Sequence, residues 1–243
     1  MALVAADSSG NGHHLAYSSD DPTLIEQCIE SDFDAGGIRG PGLAMQVRTA
    51  GHNVADPAAS DWAHHDTFTI RVVFRARSSN RAGPLGGLWG ADPASRWYFA
   101  PASAGSAQLN FHHPSIDGGF LFCGSVPINS WNLVTVGVSP TASFGKLNAG
   151  STVGKAPTGS VISWAGDERL RVSANPTSTF LERIDEVVFE AGHFPTTAEH
   201  EALWAAIVAG SGWNDAVLAL SPTGWWKLDE GCRGGWSIGS IQI

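Results

Sequence analysis

Asp66–Ala76 reads DTFTIRVVFRA, and its alternation decides the fold class. Phe68, Ile70, Val72 and Phe74 fall on one side of an extended chain, and Thr69, Arg71 and Arg75 on the other. That period of two is the mark of a half-buried antiparallel strand. Shorter candidates lie at Gly42–Arg48, Trp97–Ala100, Gln108–His112, Phe120–Cys123, Trp131–Val138, Arg169–Ser173 and Ile184–Glu190. Turn-rich stretches such as ASAGSA and SPTASFGK separate them. Many short strands with such punctuation predict an all-β sandwich or jelly roll.

Composition agrees. The 243 residues suit one large domain or two small ones, and 43% are hydrophobic, enough for a sizeable core. Only 15% are charged, while Gly numbers 29 and Pro 13, a mix that favours tight turns over a helical bundle. With 14 basic against 23 acidic residues and no basic cluster standing out, a nucleic-acid surface is not expected. The longest apolar stretches, such as Ala202–Ala209, are too short to span a bilayer. The opening MALVAADSSG has neither a charged n-region nor an adequate apolar run, so it is not read as a secretory signal. The expectation is a cytosolic chain, a fragment, or a part of an assembly that leaves the cell whole. Cys28, Cys123 and Cys232 are odd in number and form no CxxC motif, and three reduced thiols are expected.

One helix is predicted, at 197–209. Thr196 or Thr197 caps it, Glu199 and Glu201 fall in its early turns, Leu203, Trp204 and Ile207 form an apolar stripe, and Gly210 stops it. The following GSGWNDAVLALSPTG reads as a linker.

Four segments together resemble the laminin-G-like family of concanavalin A-like lectin/glucanase sandwiches. They are DSSGNGHHL (Asp7–Leu15), the strand DTFTIRVVF, NSWNLVTVGV (Asn129–Val138), and IDEVVF (Ile184–Phe189) with the helix TTAEHEAL after it. The resemblance spans about residues 7–205 and implies a two-sheet antiparallel jelly roll closed by one short helix. The family begins its domains with an aromatic Trp-x-Leu/Phe-Asp-Glu strand before the Asp-x-Ser-Gly-Asn-Gly turn. Here that strand is missing from the N-terminus and stands instead at Trp225–Glu230, within WWKLDEG. Three readings are open. The strand folds back and closes its own domain; it is donated to another copy by strand addition; or it is the stub of a second repeat. The division expected is a jelly-roll domain over 1–212 and a strand-bearing tail over 213–243.

Sequence chemistry is sparse. Related glucanases carry Glu-x-Asp-x-x-Glu on one strand, which sets a carboxylate pair about one sugar bond. In ERIDEVVFE, with Asp185 in the middle, the outer positions are Arg183 and Val188. Asp185 and Glu186 also face opposite ways, so the chain is read as no enzyme. The resemblance implies a structural Ca²⁺ held by Asp7, the Asn11 region, Asp185 and Glu230, against the plainer reading of an Asx-type turn at Asp7 and Asn11. The doublets His13–His14, His64–His65 and His112–His113 are poor chelates, because neighbours on a strand diverge. Among the 10 tryptophans, Trp131 and Trp204 read as core. The loop residues Trp62, Trp89 and Trp97, with Arg96 and Asp117 as polar companions, are the candidate glycan-stacking set, weighed against packing under long loops.

The function expected is a non-catalytic, surface-exposed recognition or structural module of a larger assembly, such as a phage tail or capsid-surface protein. Glycans, and other copies joined by strand addition, are its expected partners. The alternative is a free carbohydrate-binding lectin, or a binding module of a larger secreted protein. The place expected is outside cells or on a virion surface.

Overall fold

In the computed structural model, residues 4–17, 25–29, 43–47, 54–55, 57–76, 85–90, 92–101, 108–158, 162–172 and 183–228 are described. Strands alternate because the sequence does, and they pair into two antiparallel sheets. The eight-stranded sheet runs in the order β1 (Val4–Ala5), β2 (Leu15–Tyr17), β5 (Val54–Ala55), β13 (Arg169–Val172), β7 (Gly86–Trp89), β8 (Trp97–Pro101), β9 (Gln108–His112) and β10 (Phe120–Ser125). The seven-stranded sheet runs β12 (Ser143–Leu147), β11 (Trp131–Val138), β6 (Phe68–Arg75), β14 (Arg183–Ala191), β4 (Leu43–Val47) and β3 (Ile25–Ile29), and β15 (Gly224–Trp226) also pairs with β14. The all-β sandwich expected from the alternation is the fold observed.

Between the sheets lies the main core. Phe68, Ile70, Val72 and Phe74 of β6 meet Trp97, Phe99, Leu109, Phe111, Leu121 and Leu170 from the opposite sheet. Cys123 lies in this core, and burial pushes its thiol up to about 12, so it is chemically inert.

The strand β6 is not half-buried, as its alternation suggests, but buried on both faces. Two helices cover its outer side. Helix α1 (Thr197–Ala209) is capped by Thr196 in a capping box with Glu199 and ends on Gly210 in the left-handed conformation. Helix α2 (Trp213–Leu218) occupies part of the stretch that reads as a linker. Its six residues show too little period to betray a helix, and its stability comes from burying Trp213 and Val217. Leu203, Ile207, Trp213 and Val217 form a second core with Val73, Leu133, Val188 and Trp225.

Polar groups under α1 are matched rather than avoided. Arg71, fully buried on β6, pairs with Glu190 of β14 and approaches Glu199 of α1 at 3.5 Å. His193 Nε2 lies 3.0 Å from Glu199 and 3.5 Å from Glu190. His200 sits on the apolar side of α1, with Nδ1 2.8 Å from the Thr135 hydroxyl and Nε2 2.7 Å from the Asn148 carbonyl.

The tail strand pairs with β14 of its own chain. β15 pairs with β14 at Val187↔Trp226 and Val188↔Trp225, and Trp226 bridges to Asp7 on its other side. Adjacent residues diverge, so Trp225 enters the helix-side core and Trp226 the inter-sheet core. Trp226 donates its indole N–H to the His13 carbonyl at 2.7 Å, and the Trp225 indole bonds to Glu186. Lys227 holds its ammonium 4.4 Å from the Trp225 ring.

Two substitutions probe this packing. Trp226→Ala removes a fully buried indole at the junction of both chain ends and should lower unfolding free energy by about 3–5 kcal/mol in urea denaturation; an unchanged midpoint would mean a loosely packed tail. Burial pushes His200 down from 6.5 to about 4. Between those values the unfolded chain binds the proton and the folded chain does not, so this contribution is complete above pH 6.5 and is lost as pH falls toward 4. His200→Gln should flatten the slope of stability against pH in that window; the wild-type slope amounts to up to about 3 kcal/mol.

Candidate functional site

Among the described residues both helices lie against the seven-stranded sheet, which leaves the outer face of the eight-stranded sheet as the broad surface. Its side chains are fixed by parity. Leu170, Leu88, Phe99, Phe111 and Leu121 point into the core, so Arg169 and Arg171, Trp89, Tyr98, His112 and Phe120 point outward.

Register then places some of them in one row. Arg171 stands opposite Gly87, Gly87 opposite Tyr98, Tyr98 opposite His112, and His112 opposite Phe120. Strands are spaced by about 4.8 Å, so the row is roughly 19 Å long. Gly87 is required: a Cβ there would lie 2.2 Å from the Trp97 carbonyl oxygen and 2.6 Å from Tyr98 Cβ. Trp89 stacks on Tyr98 at 4.5 Å, Tyr98 on His112 at 4.6 Å and 8° between planes, and His112 lies 6.0 Å from Phe120. A cation sits over each end: Arg96 is 5.4 Å from the centroid of Trp89, and Lys155 is 4.4 Å from that of Phe120. Phe120 is 37% exposed, and Phe122, two residues along the same edge strand, 39%. Burial lowers His112 below its ordinary value, so it is a neutral ring at about pH 7. The Trp89 indole N–H and the Asn110 side-chain oxygen, both buried on this face, have no hydrogen-bond partner among the described residues. Because the rings cover one another's faces, the row turns ring edges outward, and the unpaired donor and acceptor beside them can meet sugar hydroxyls.

The residues singled out in the sequence fall unevenly on this row. Trp89 and Arg96 belong to one end, although Trp89 lies on β7 rather than in a loop. Asp117 lies at the other end, where its carbonyl accepts from Lys155 at 3.1 Å. Trp97 does not belong: it is fully buried in the core, 5.0 Å from Phe68, and cannot touch a ligand. The reason is its place on β8, one residue before the outward Tyr98. Trp62 packs on the core, with His13 stacked on it at 4.3 Å. Tyr98, His112 and Phe120 are absent from the sequence-derived set. Alternation through QLNFH and FLFC places His112 and Phe120 on one face, but only the pairing register joins them to Tyr98.

The Asp7 turn has a different character. Its carboxylate accepts the N–H groups of Ser9 at 2.9 Å, Trp225 at 3.0 Å and His13 at 3.0 Å. Burial alone would raise this carboxyl, but those hydrogen bonds outweigh it and hold the group below its ordinary value. Asn11 donates its amide to the Thr223 carbonyl at 2.9 Å and the Pro222 carbonyl at 3.2 Å. Asp7 is therefore engaged by N–H donors, and Asn11 presents its donor side, a set that does not fit a hard cation seeking six to eight oxygens. Asp185 is buried on β14, where the pairing register with β6 shifts, and Glu230 lies outside the described residues. Among the described residues no three His, Cys, Asp or Glu gather in a metal-holding group. The histidine doublets diverge: His14 accepts from the Asp7 N–H, His64 stacks on Trp164, and His113 is buried against Ser115.

No protein-family model and no curated protein matches the chain. Solved structures do match. Domain 4 of an extracellular arabinanase from Geobacillus stearothermophilus, in complex with arabinotriose, aligns at 12% identity and TM-score 0.50 over 86% of this chain and 87% of that one. Tailspike protein 2 of Escherichia coli O157:H7 bacteriophage CAB120 aligns at 10% and 0.54 over 90% of this chain. An arabinofuranosidase complexed with arabinofuranosyl-α-1,2-xylobiose aligns at 12% and 0.54 over 86%. The chain spans 29% of the tailspike and about half, 51%, of the arabinofuranosidase. At such identities the likeness establishes the antiparallel sandwich; it does not single out the laminin-G-like family. One expectation is corrected. The broken Glu-x-Asp-x-x-Glu pattern reads as no enzyme, yet this fold occurs within glycosidase chains. A missing motif of one glucanase family therefore does not exclude catalysis.

Asp7→Ala should lower stability by about 1–3 kcal/mol, because it strands the N–H groups of Ser9, His13 and Trp225. Thermal melts of the wild type should be the same with calcium and with EDTA. A rise in Tm on adding calcium, absent in Asp7→Ala, would show instead that a cation occupies the turn.

Proposed function

We propose that this chain is a carbohydrate-binding module that lays an oligosaccharide along the outer face of its eight-stranded sheet. The observation that carries the reading is the stacked row Trp89–Tyr98–His112–Phe120, with cations over its end rings. Row length matters here: a line of ring edges about 19 Å long can lie beside several successive sugars, where one exposed aromatic cannot. The matched arabinanase domain, which covers nearly the same length as this chain and holds arabinotriose, supports a glycan ligand for a sandwich of this kind.

The setting we propose is a cell-exterior or virion surface, with the module as one part of a larger assembly. Likeness to the phage tailspike over 90% of this chain supports that setting. Purification of phage particles or culture fluid followed by antibody detection tests it: the protein should travel with particles or exterior fractions, and retention with cytosolic markers would count against it.

A glycan array with the wild type and the variants Tyr98→Ala and Phe120→Ala tests the binding surface. Saturable binding that weakens by about tenfold or more in each variant is expected, since base–aromatic and comparable ring contacts are worth about 1–3 kcal/mol. Binding that survives both variants unchanged would place the site elsewhere.

A further inference from the structure

The chain as a whole is acidic, at net charge −9. The aromatic row is not. Arg171 is the first member of the row, directly opposite Gly87, and Arg169 stands directly opposite Trp89. Arg96 lies over Trp89 and Lys155 over Phe120. Arg169 and Arg171 are two residues apart on β13, close enough that Arg169 contributes, after burial, to lowering Arg171. Residues two apart on a strand face the same way, so the two guanidinium groups stand side by side on the outer face. Among the described residues no carboxylate forms an ion pair with Arg96, Arg169 or Arg171, and the buried Arg171 Nε has no hydrogen-bond partner. Nearby acids are otherwise arranged. Asp92 spends its carboxylate on the Ala94 N–H, and Glu168 on the Ala165 and Gly166 N–H groups from the inner side of the strand. Asp167 lies against Gly90, and the Asp117 carbonyl, not its carboxylate, meets Lys155.

Resting on the proposed glycan function, we infer that the ligand is an anionic saccharide, one bearing carboxylate or sulfate groups. Its sugars lie along the outward edges of the mutually stacked Tyr98, His112 and Phe120 rings, and an acidic group is received by the Arg169–Arg171 pair beside Trp89. Gly87 matters to this geometry, because no side chain stands in the row between the Arg171 guanidinium and the Tyr98 ring. A guanidinium is well suited to this, since its planar fork of donors grips two oxygens of one anion. The pairing also selects among ligands, because a neutral sugar gains only the contacts along the row.

The test is an array of uronate-bearing, sialylated and sulfated oligosaccharides, each beside its neutral counterpart, with a DNA duplex as a non-sugar polyanion. At low salt an acidic glycan should bind at least about tenfold more tightly than its neutral partner, and the preference should shrink as salt rises from about 50 to about 500 mM. Arg169→Glu, at an exposed position, should bring the acidic-to-neutral affinity ratio to about one, with an unchanged melting temperature showing that the fold is intact; Arg169→Ala should give an intermediate ratio. Equal binding of acidic and neutral partners would overturn the anionic assignment and leave the glycan function standing. Absence of binding to every saccharide would overturn both. DNA bound as tightly as the best acidic glycan would overturn the saccharide reading in favour of a general polyanion surface.

Discussion

Two helices can rest on only one side of this sandwich, and a buried arginine helps set which. Arg71 projects from the outer face of β6 and, paired with Glu190, meets Glu199 of the α1 capping box. A lone buried guanidinium would be strongly destabilising, and the paired one tolerates only a covering element with an acid in the right place. Arg71 is held nearly dry, and burial raises Glu190 above its ordinary range despite the pull of Arg71. His193 and His200 add directional contacts at the same seam. Once α1 and α2 occupy that face, the outer face of the other sheet is the one left to meet a partner.

The second constraint joins the two ends of the chain. WW at 225–226 feeds one indole to each core, so a slip by one residue would turn each indole toward the opposite core. Asp7 fixes the same register through the Trp225 N–H, and the Ser8 N–H donates back to the Trp225 carbonyl at 2.6 Å. Within this chain Trp225 and Trp226 pair with β14 and Trp226 bridges to Asp7. The turn that resembles a calcium-binding one works here as a clasp between the N-terminal loop and the last strand.

Much of the fold is legible in the sequence. β6 and β11 announce themselves by apolar positions at every second residue, and α1 by its caps, since these are local signals, whereas β14 shows only the apolar run Val187–Phe189 because a register shift after Ile184 breaks its alternation. GGLW at 86–89 is not legible as a strand, because two glycines hide the alternation and the strand is stabilised by neighbours on both sides. The site is less legible still. WYF at 97–99 is aromatic throughout, so its parity cannot be told from the sequence, and Trp97 invites selection where Tyr98 is the outward ring. Tyr98, His112 and Phe120 become neighbours only through cross-strand register, a long-range property. Trp89, Arg96 and Asp117 can be found because they flank strand ends, where polar and aromatic residues mix.

Everything functional here rests on the stacked row of the eight-stranded sheet being the ligand surface. The sharpest check is a nuclear magnetic resonance titration with a glycan that the protein binds, following ring signals across the molecule. Tyr98, His112 and Phe120 should shift together and saturably, while His200 and Trp213 beneath the helices stay still. Shifts confined to α1, α2 or the Asp7 turn, with the row unmoved, would contradict the assignment.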